Sequence, residues 1–196
     1  MGQLQIFRRR NYLRQVWKNG GGTTYQVAIS PEGSVLTDFD WRISLAEITA
    51  DCHFSDFNGY DRTLVLLEGG GLLLNEPEGP EIRLDPGQPM LSFRGETIFS
   101  CVLPEGPTLD FNVMTRRDSL SHRVEIFQLS HGQKNINIAL EPAFIFCLGR
   151  SLEGESGGRH FSLERHDMLK IEGGQGGAVN FRGPEESRFL CISIFS

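Results

Sequence analysis

The sequence predicts an all-β protein built as two small antiparallel barrels fused in one chain. Three observations carry this. Short apolar runs alternate with turn residues along nearly the whole length, helical spacing is scarce, and the pattern of the first two thirds comes round again in the last third. At 196 residues the chain is long enough for one large core or for two fused small ones, and the repetition favours two.

Taken in order, the N-terminal "MGQLQIFRRR" has no apolar leader, and "NYLRQVW" reads as a short helix capped by Asn11. "WKNGGGTT" reads as a flexible turn feeding the strand "TTYQVAIS". Strands then follow at "WRISLAEI", "TLVLLEG", "GLLLN", "IRLD", "MLSF", "IFSCVL" and "LDFNVMTR", parted by "PEGS", "FNGY", "EPEGP" and "LPEGP". After a middle segment around "SHRVEIFQLS", strands resume with "AFIFCLG", "HFSLE", "MLKIE", "AVNF" and "RFLCISIF". In both halves a hydrophobic strand breaks at glycines, a strand and an acidic or proline turn follow, and a terminal strand closes the unit. Strand pairs around such turns are those of the cupin barrel. The expected division is residues 1–120, with the ligand pocket, and 121–196, strands being free to pass between the two. The second barrel is the more apolar, so its own side chains should fill it.

Composition narrows the function. The net charge of -6 argues against nucleic acid and against an anionic membrane surface as partners. The basic run "FRRRNYLR" is short and reads as a solvated face. No apolar run is long enough to span a bilayer, and Cys52, Cys101, Cys147 and Cys191 are far apart without a CxxC pair, as reduced, buried thiols are. The chain reads as cytoplasmic. Nothing marks an edge strand for pairing, although two copies of such a barrel can form a homodimer through one.

A barrel metal site needs a His-x-His pair, a Glu and a later His. His53 stands alone, "MLSFRGETIF" has no His, and His122, His131, His160 and His166 are scattered, so no metal and no other cofactor is expected. There is no G-x-S-x-G elbow, and "WKNGGGTT" fails as a phosphate loop because Lys18 precedes the glycines.

Arg62 is the leading candidate for chemistry. It follows the turn "FNGYD" and opens the most hydrophobic strand, where alternation places it with Leu64 and Leu66. A salt bridge to Asp61 or Glu68 at the strand entrance is the ordinary alternative. Turned inward, its planar guanidinium needs an anionic partner, and a ligand carboxylate suits its bidentate geometry. "WRISLAEI" puts Arg42, Ser44, Ala46 and Ile48 on one face; Ser44 and Ala46 are small enough to leave room for a ligand, or simply pack. Asn112 shares a face with Asp110 and Met114 and is a candidate polar lining residue, while Phe93 and Phe111 read as filling. Trp17, Lys18, Asn19 and Thr24 crowd a cation, an amide and a hydroxyl around backbone free to approach a ligand, and so are candidates for a share in the pocket.

"WKNGGGTT", "WRISLAEI", "FSDFNGYDRTLVLLEGGG" and "DFNVMTRR", in that order from Tyr12 to Arg117, resemble the HutD/Ves family, in its HutD branch. The resemblance implies a bicupin fold and a role in restraining histidine utilisation through binding an intermediate such as N-formylglutamate, N-formiminoglutamate or urocanate. It also implies that Arg62 is the ligand-binding arginine, and Lys18, Asn19 and Thr24 match its motif. No reaction follows from the resemblance. A metal-free hydrolase or isomerase acting on such an intermediate stays open as the alternative.

Overall fold

The computed structural model describes residues 3–138, 142–173 and 177–196. The chain divides into two compact units, Leu13–Ser121 and a second that joins the residues up to Tyr12 with His122–Ser196. The N-terminal strand Gln3–Phe7 therefore belongs to the second unit, although the expected division at residue 120 counted it with the first. It adds to the free edge of Met168–Glu172, with Gln5 opposite Lys170. Arg8 locks it there: Nη1 donates to Asp167 Oδ2 at 2.7 Å and to the Ser162 carbonyl, and the Arg9 amide donates to Asp167 Oδ1. The Tyr12 hydroxyl donates to the His166 carbonyl at 2.7 Å. Part of the basic run is thus structural.

The helix expected at "NYLRQVW" does not form. A 3-10 turn at Arg9–Asn11 is followed by an edge strand, Leu13–Val16, which pairs with Gly22–Ser30. Leu13 and Val16 are each 58% exposed, so a helix here would have had no apolar face to bury. The tight "WKNGGGTT" turn favours the hairpin instead. The Gly20 amide donates to the Trp17 carbonyl, Gly20 sits at φ +71°, and the Trp17 amide donates to the Gly22 carbonyl.

Each unit consists of two antiparallel sheets sharing a core. In the first, Leu13–Val16, Gly22–Ser30, Trp41–Ile48, Thr108–Arg116, Tyr60–Glu68 and Met90–Arg94 lie side by side. The facing sheet runs Cys52–His53, Ser100–Val102, Leu72–Asn75, Glu81–Leu84. The second unit repeats this order. Ser121–Gln128, Arg188–Phe195, Ala143–Cys147 and Met168–Glu172 stand where Trp41–Ile48, Thr108–Arg116, Tyr60–Glu68 and Met90–Arg94 stand in the first. Gln133–Ile138, Gly177–Arg182, Ser151–Ser156 and Arg159–Glu164 reproduce the four-stranded sheet. The fold is the expected bicupin, although each barrel is two open sheets and not one closed ladder. The middle segment "SHRVEIFQLS" is itself mostly strand, at Ser121–Gln128.

The core of the second unit is apolar, with Phe161, Phe181, Phe189, Ile145, Leu163 and Leu169 among its buried residues. In the first, Leu64, Leu66, Leu72, Leu74, Leu84 and Phe99 fill one end of the space between the sheets. The other end is polar. All four cysteines are free and buried. No helix among the described residues is long and apolar enough to cross a membrane.

Candidate functional site

Strand register writes the polar end as a grid. Across the inner face of the six-stranded sheet, Arg42, Met114, Arg62 and Phe93 form one row. Gln26, Ser44, Asn112, Leu64 and Leu91 form the next, followed by Thr24, Ala46, Asp110 and Leu66, and then by Gly22, Ile48 and Thr108. The period-two alternation of strands requires these residues to share a face. Phe111, Val113, Ile43 and Leu45, on the opposite face, are also buried, so polar residues here sit in a sheet that is apolar around them.

Arg62 is 6% exposed. Its guanidinium lies 4.9 Å from the ring centroid of Phe93, 5.4 Å from Phe57 and 5.5 Å from Phe54, an aromatic cage that holds a cation without neutralising it. Nη1 donates to the Ser55 carbonyl at 3.3 Å and Nη2 to Asn112 Oδ1 at 3.1 Å, while Nε has no partner among the described residues. Two of five N–H donors are committed, and neither to a carboxylate. The alternative salt bridge from Arg62 to Asp61 does not form: Asp61 pairs with Arg117 at 2.6 Å, and Arg117 also holds Glu96 at 2.8 Å. Burial, with the nearby Arg42 adding to it, pushes the Arg62 pKa down to about 10, against the pull of Asp110.

Two further residues enter the site that sequence reading had placed on this face without assigning them a role. Arg42 is buried, donates from Nε to Gln26 Oε1 at 3.1 Å, and is pushed down to about 10 by burial. Asp110 is 1% exposed; its Oδ1 accepts from Asn112 Nδ2 and its Oδ2 has no partner among the described residues. Burial raises the Asp110 carboxyl to about 7, against the lowering effects of Arg62 and Asn112. Asn112 therefore bridges a buried cation to a buried acid. The signal for Asp110 was available in "LDFNVM", where an acid interrupts an apolar strand. Phe93 does more than fill, since its face carries the guanidinium.

The sequence model of the HutD family matches residues 9–190. The chain belongs to the HutD family. A Pseudomonas putida protein described as an uncharacterized 21.2 kDa protein in the hutC 3′ region is 32% identical over the full length of both chains. The crystal structure of a conserved Pseudomonas aeruginosa protein of unknown function superposes with a TM-score of 0.91 at 28% identity, covering 99% of this chain and 100% of that one. HutD from Pseudomonas fluorescens superposes at 0.82 with 26% identity and the same coverage.

In this HutD-family chain the structure brings Arg62, Asn112 and Ser44 onto one face, with Ser44 directly across the ladder from Asn112. Thr24 is on that face too, but its Oγ1 accepts from Trp17 Nε1 at 2.8 Å. Lys18 and Asn19 are exposed in the turn, where Asn19 Oδ1 accepts from the Gly21 amide. The backbone at Gly22 approaches the Trp17 ring and the Glu47 carbonyl, so the glycines serve the turn and its packing. A polar hollow of about 920 Å³ lies on the four-stranded sheet of the second unit, lined by Asn135, Glu153, Glu155, Asn180 and Arg182 among others. Its polar side chains are mostly exposed, and none of the sequence-predicted residues lines it. Open to water, it lacks the desolvation that makes an arginine–carboxylate contact strong, and Arg62 has that desolvation. Among the described residues no three His, Cys, Asp or Glu side chains are grouped to hold a metal ion.

Gly95 fixes the cage. Its amide donates to the Tyr60 carbonyl at 2.7 Å, its carbonyl accepts from the Phe57 amide at 2.9 Å, and a Cβ there would meet the Tyr60 carbonyl oxygen at 2.9 Å and that of Phe57 more closely still. Gly95→Ala is expected to displace the Phe54–Tyr60 loop and to cost about 1–3 kcal/mol. Denaturant unfolding measures the cost, and an unchanged midpoint contradicts it.

Proposed function

We propose that this protein binds a small carboxylate intermediate of histidine catabolism on Arg62 and thereby limits histidine utilisation. The observation that carries this is a charge imbalance. The buried charged side chains of the first unit are Arg42, Arg62 and Asp110, two cations and one acid that titrates near neutrality, and Arg62 makes no ion pair among the described residues. A buried cation without a counter-ion is costly, and a carboxylate ligand supplies one. N-formylglutamate, N-formiminoglutamate and urocanate, the intermediates suggested by family resemblance, all carry that group. A ligand that binds only the folded state stabilises it by about 2.7 kcal/mol at one hundred times its Kd. Thermal-shift titration with the three acids should show saturable stabilisation, and their carboxamides should show none. Equal shifts from acids and carboxamides overturn the reading.

A second reading, a metal-free hydrolase or isomerase, is favoured by one observation. A buried carboxyl at about 7 is suited to take and return a proton at neutral pH. Incubation of purified protein with each intermediate and chromatography of the mixture separates an enzyme from a binder.

A further inference from the structure

Beyond the carboxylate contact, we propose that Asp110 and Thr108 form the second half of the site and select ligands that present an N–H donor. This rests on the assignment of Arg62 to the ligand carboxylate. The two residues lie two positions apart on the strand Thr108–Arg116, and both belong to the inner-face grid. Each is buried, and each keeps one polar atom without a partner among the described residues, Asp110 Oδ2 and Thr108 Oγ1. Buried polar groups in folded proteins are overwhelmingly hydrogen-bonded, so an unmatched carboxylate oxygen and an unmatched hydroxyl, two positions apart on one face, point to a partner from outside the fold.

Their position fits one ligand spanning both halves. Arg62 reaches to Asn112, the grid position next to Asp110, so the cation and the acid are separated by one two-residue step of the strand, roughly 7 Å. The neighbours across the ladder from Asp110 are Ala46 and Leu66, which offer neither donor nor charge, and Ala46 is small. With Asp110 ionised, one ligand carboxylate seated on Arg62 brings the buried charges to two cations and two anions. In that state Asp110 has one oxygen held by Asn112 and the other available to accept. An amide, amidine or imidazole N–H carried on the same small molecule as a carboxylate meets both ends.

The test is a cycle between ligand and protein. The probes are N-acetylglutamate and 2-acetoxyglutarate, which differ only in an ester oxygen where the amide N–H stands, titrated by calorimetry into the wild type, Asp110→Ala and Thr108→Val. The wild type should prefer the amide by about ten- to a hundredfold, since the ester leaves the acceptor unmatched. Asp110→Ala should bind the two within about twofold of each other, and Thr108→Val, which keeps the volume, should show a reduced preference. Equal binding of amide and ester by the wild type, with both lost in Arg62→Ala, overturns this inference and leaves the carboxylate assignment standing. Binding of neither probe, or binding of both that ignores Arg62, overturns the two together. Because the wild type alone yields the amide-to-ester ratio, a variant that fails to fold does not remove the test.

Discussion

Arg62→Ala is expected to lower affinity for N-formylglutamate by a few tens- to several hundredfold, about 2–4 kcal/mol, with the fold retained. The magnitude follows from a charge-assisted, bidentate contact made where water is largely excluded by Phe54, Phe57 and Phe93. The fold should survive because opposing effects offset each other. The variant loses cation–π contacts and packing, but it also relieves the burial of a charge that has no ion pair among the described residues. Arg62→Lys should recover only part of the affinity, because an ammonium cannot present two parallel donors to one carboxylate. Calorimetric titration of all three proteins measures this. Equal affinities would reduce Arg62 to a structural cation and leave the pocket unassigned.

The second large effect concerns Asp110 and needs no ligand. Burial pushes its carboxyl up to about 7 in the folded protein, from the ordinary 3.8 of an aspartate in the unfolded chain. Between these values the folded state holds a proton that the unfolded state has released, so stability falls as pH rises through the window, and the loss is complete above pH 7. Holding that proton contributes roughly 4 kcal/mol in total, of which about 2–3 kcal/mol is lost between pH 5 and pH 8. Asp85 and Glu96 act in the opposite sense, because hydrogen bonds from the Gln88 and Gly87 backbone and from Arg117 hold them below the usual range. Their gain is complete near pH 5, below most of the window in which Asp110 acts. Urea unfolding of ligand-free protein should therefore show stability declining from pH 5 to pH 8, and Asp110→Asn should flatten that decline. A wild type whose stability is flat or rising across the window would mean that Asp110 stays ionised at low pH, held by Arg62 more firmly than burial opposes it.

The parts of this molecule that follow from local pattern were legible in its sequence. Strand alternation put Arg62 with Leu64, and Asn112 with Asp110, before any partner was known, and the glycine-broken repeat foretold two units with the same strand order. What escaped depends on contacts distant in the chain. Nothing near Asp61 announces that Arg117 will take it from Arg62, because the two meet only once their strands are side by side. The part of "WKNGGGTT" that packs was not legible, because a glycine-rich turn bearing a cation has the same composition whether or not its backbone meets a tryptophan ring. The missed helix at "NYLRQVW" has a similar cause. Its spacing allowed one turn or a strand, and the hairpin with Gly22–Ser30 decided.

The N-terminal strand has a consequence for how the chain is made. Arg8 and its anchor Asp167 are 159 residues apart, so at ordinary translation rates of about 5–20 residues per second the strand is synthesised roughly ten to thirty seconds before the residues that receive it. The segment Leu13–Ser121 is contiguous and can close on the ribosome in that interval. Gln3–Phe7 must meanwhile wait outside it as an unpaired edge. The strand Gln3–Phe7 thus docks late, once Met168–Glu172 has emerged, and it is the nascent chain, more than the finished protein, that has an exposed strand to protect.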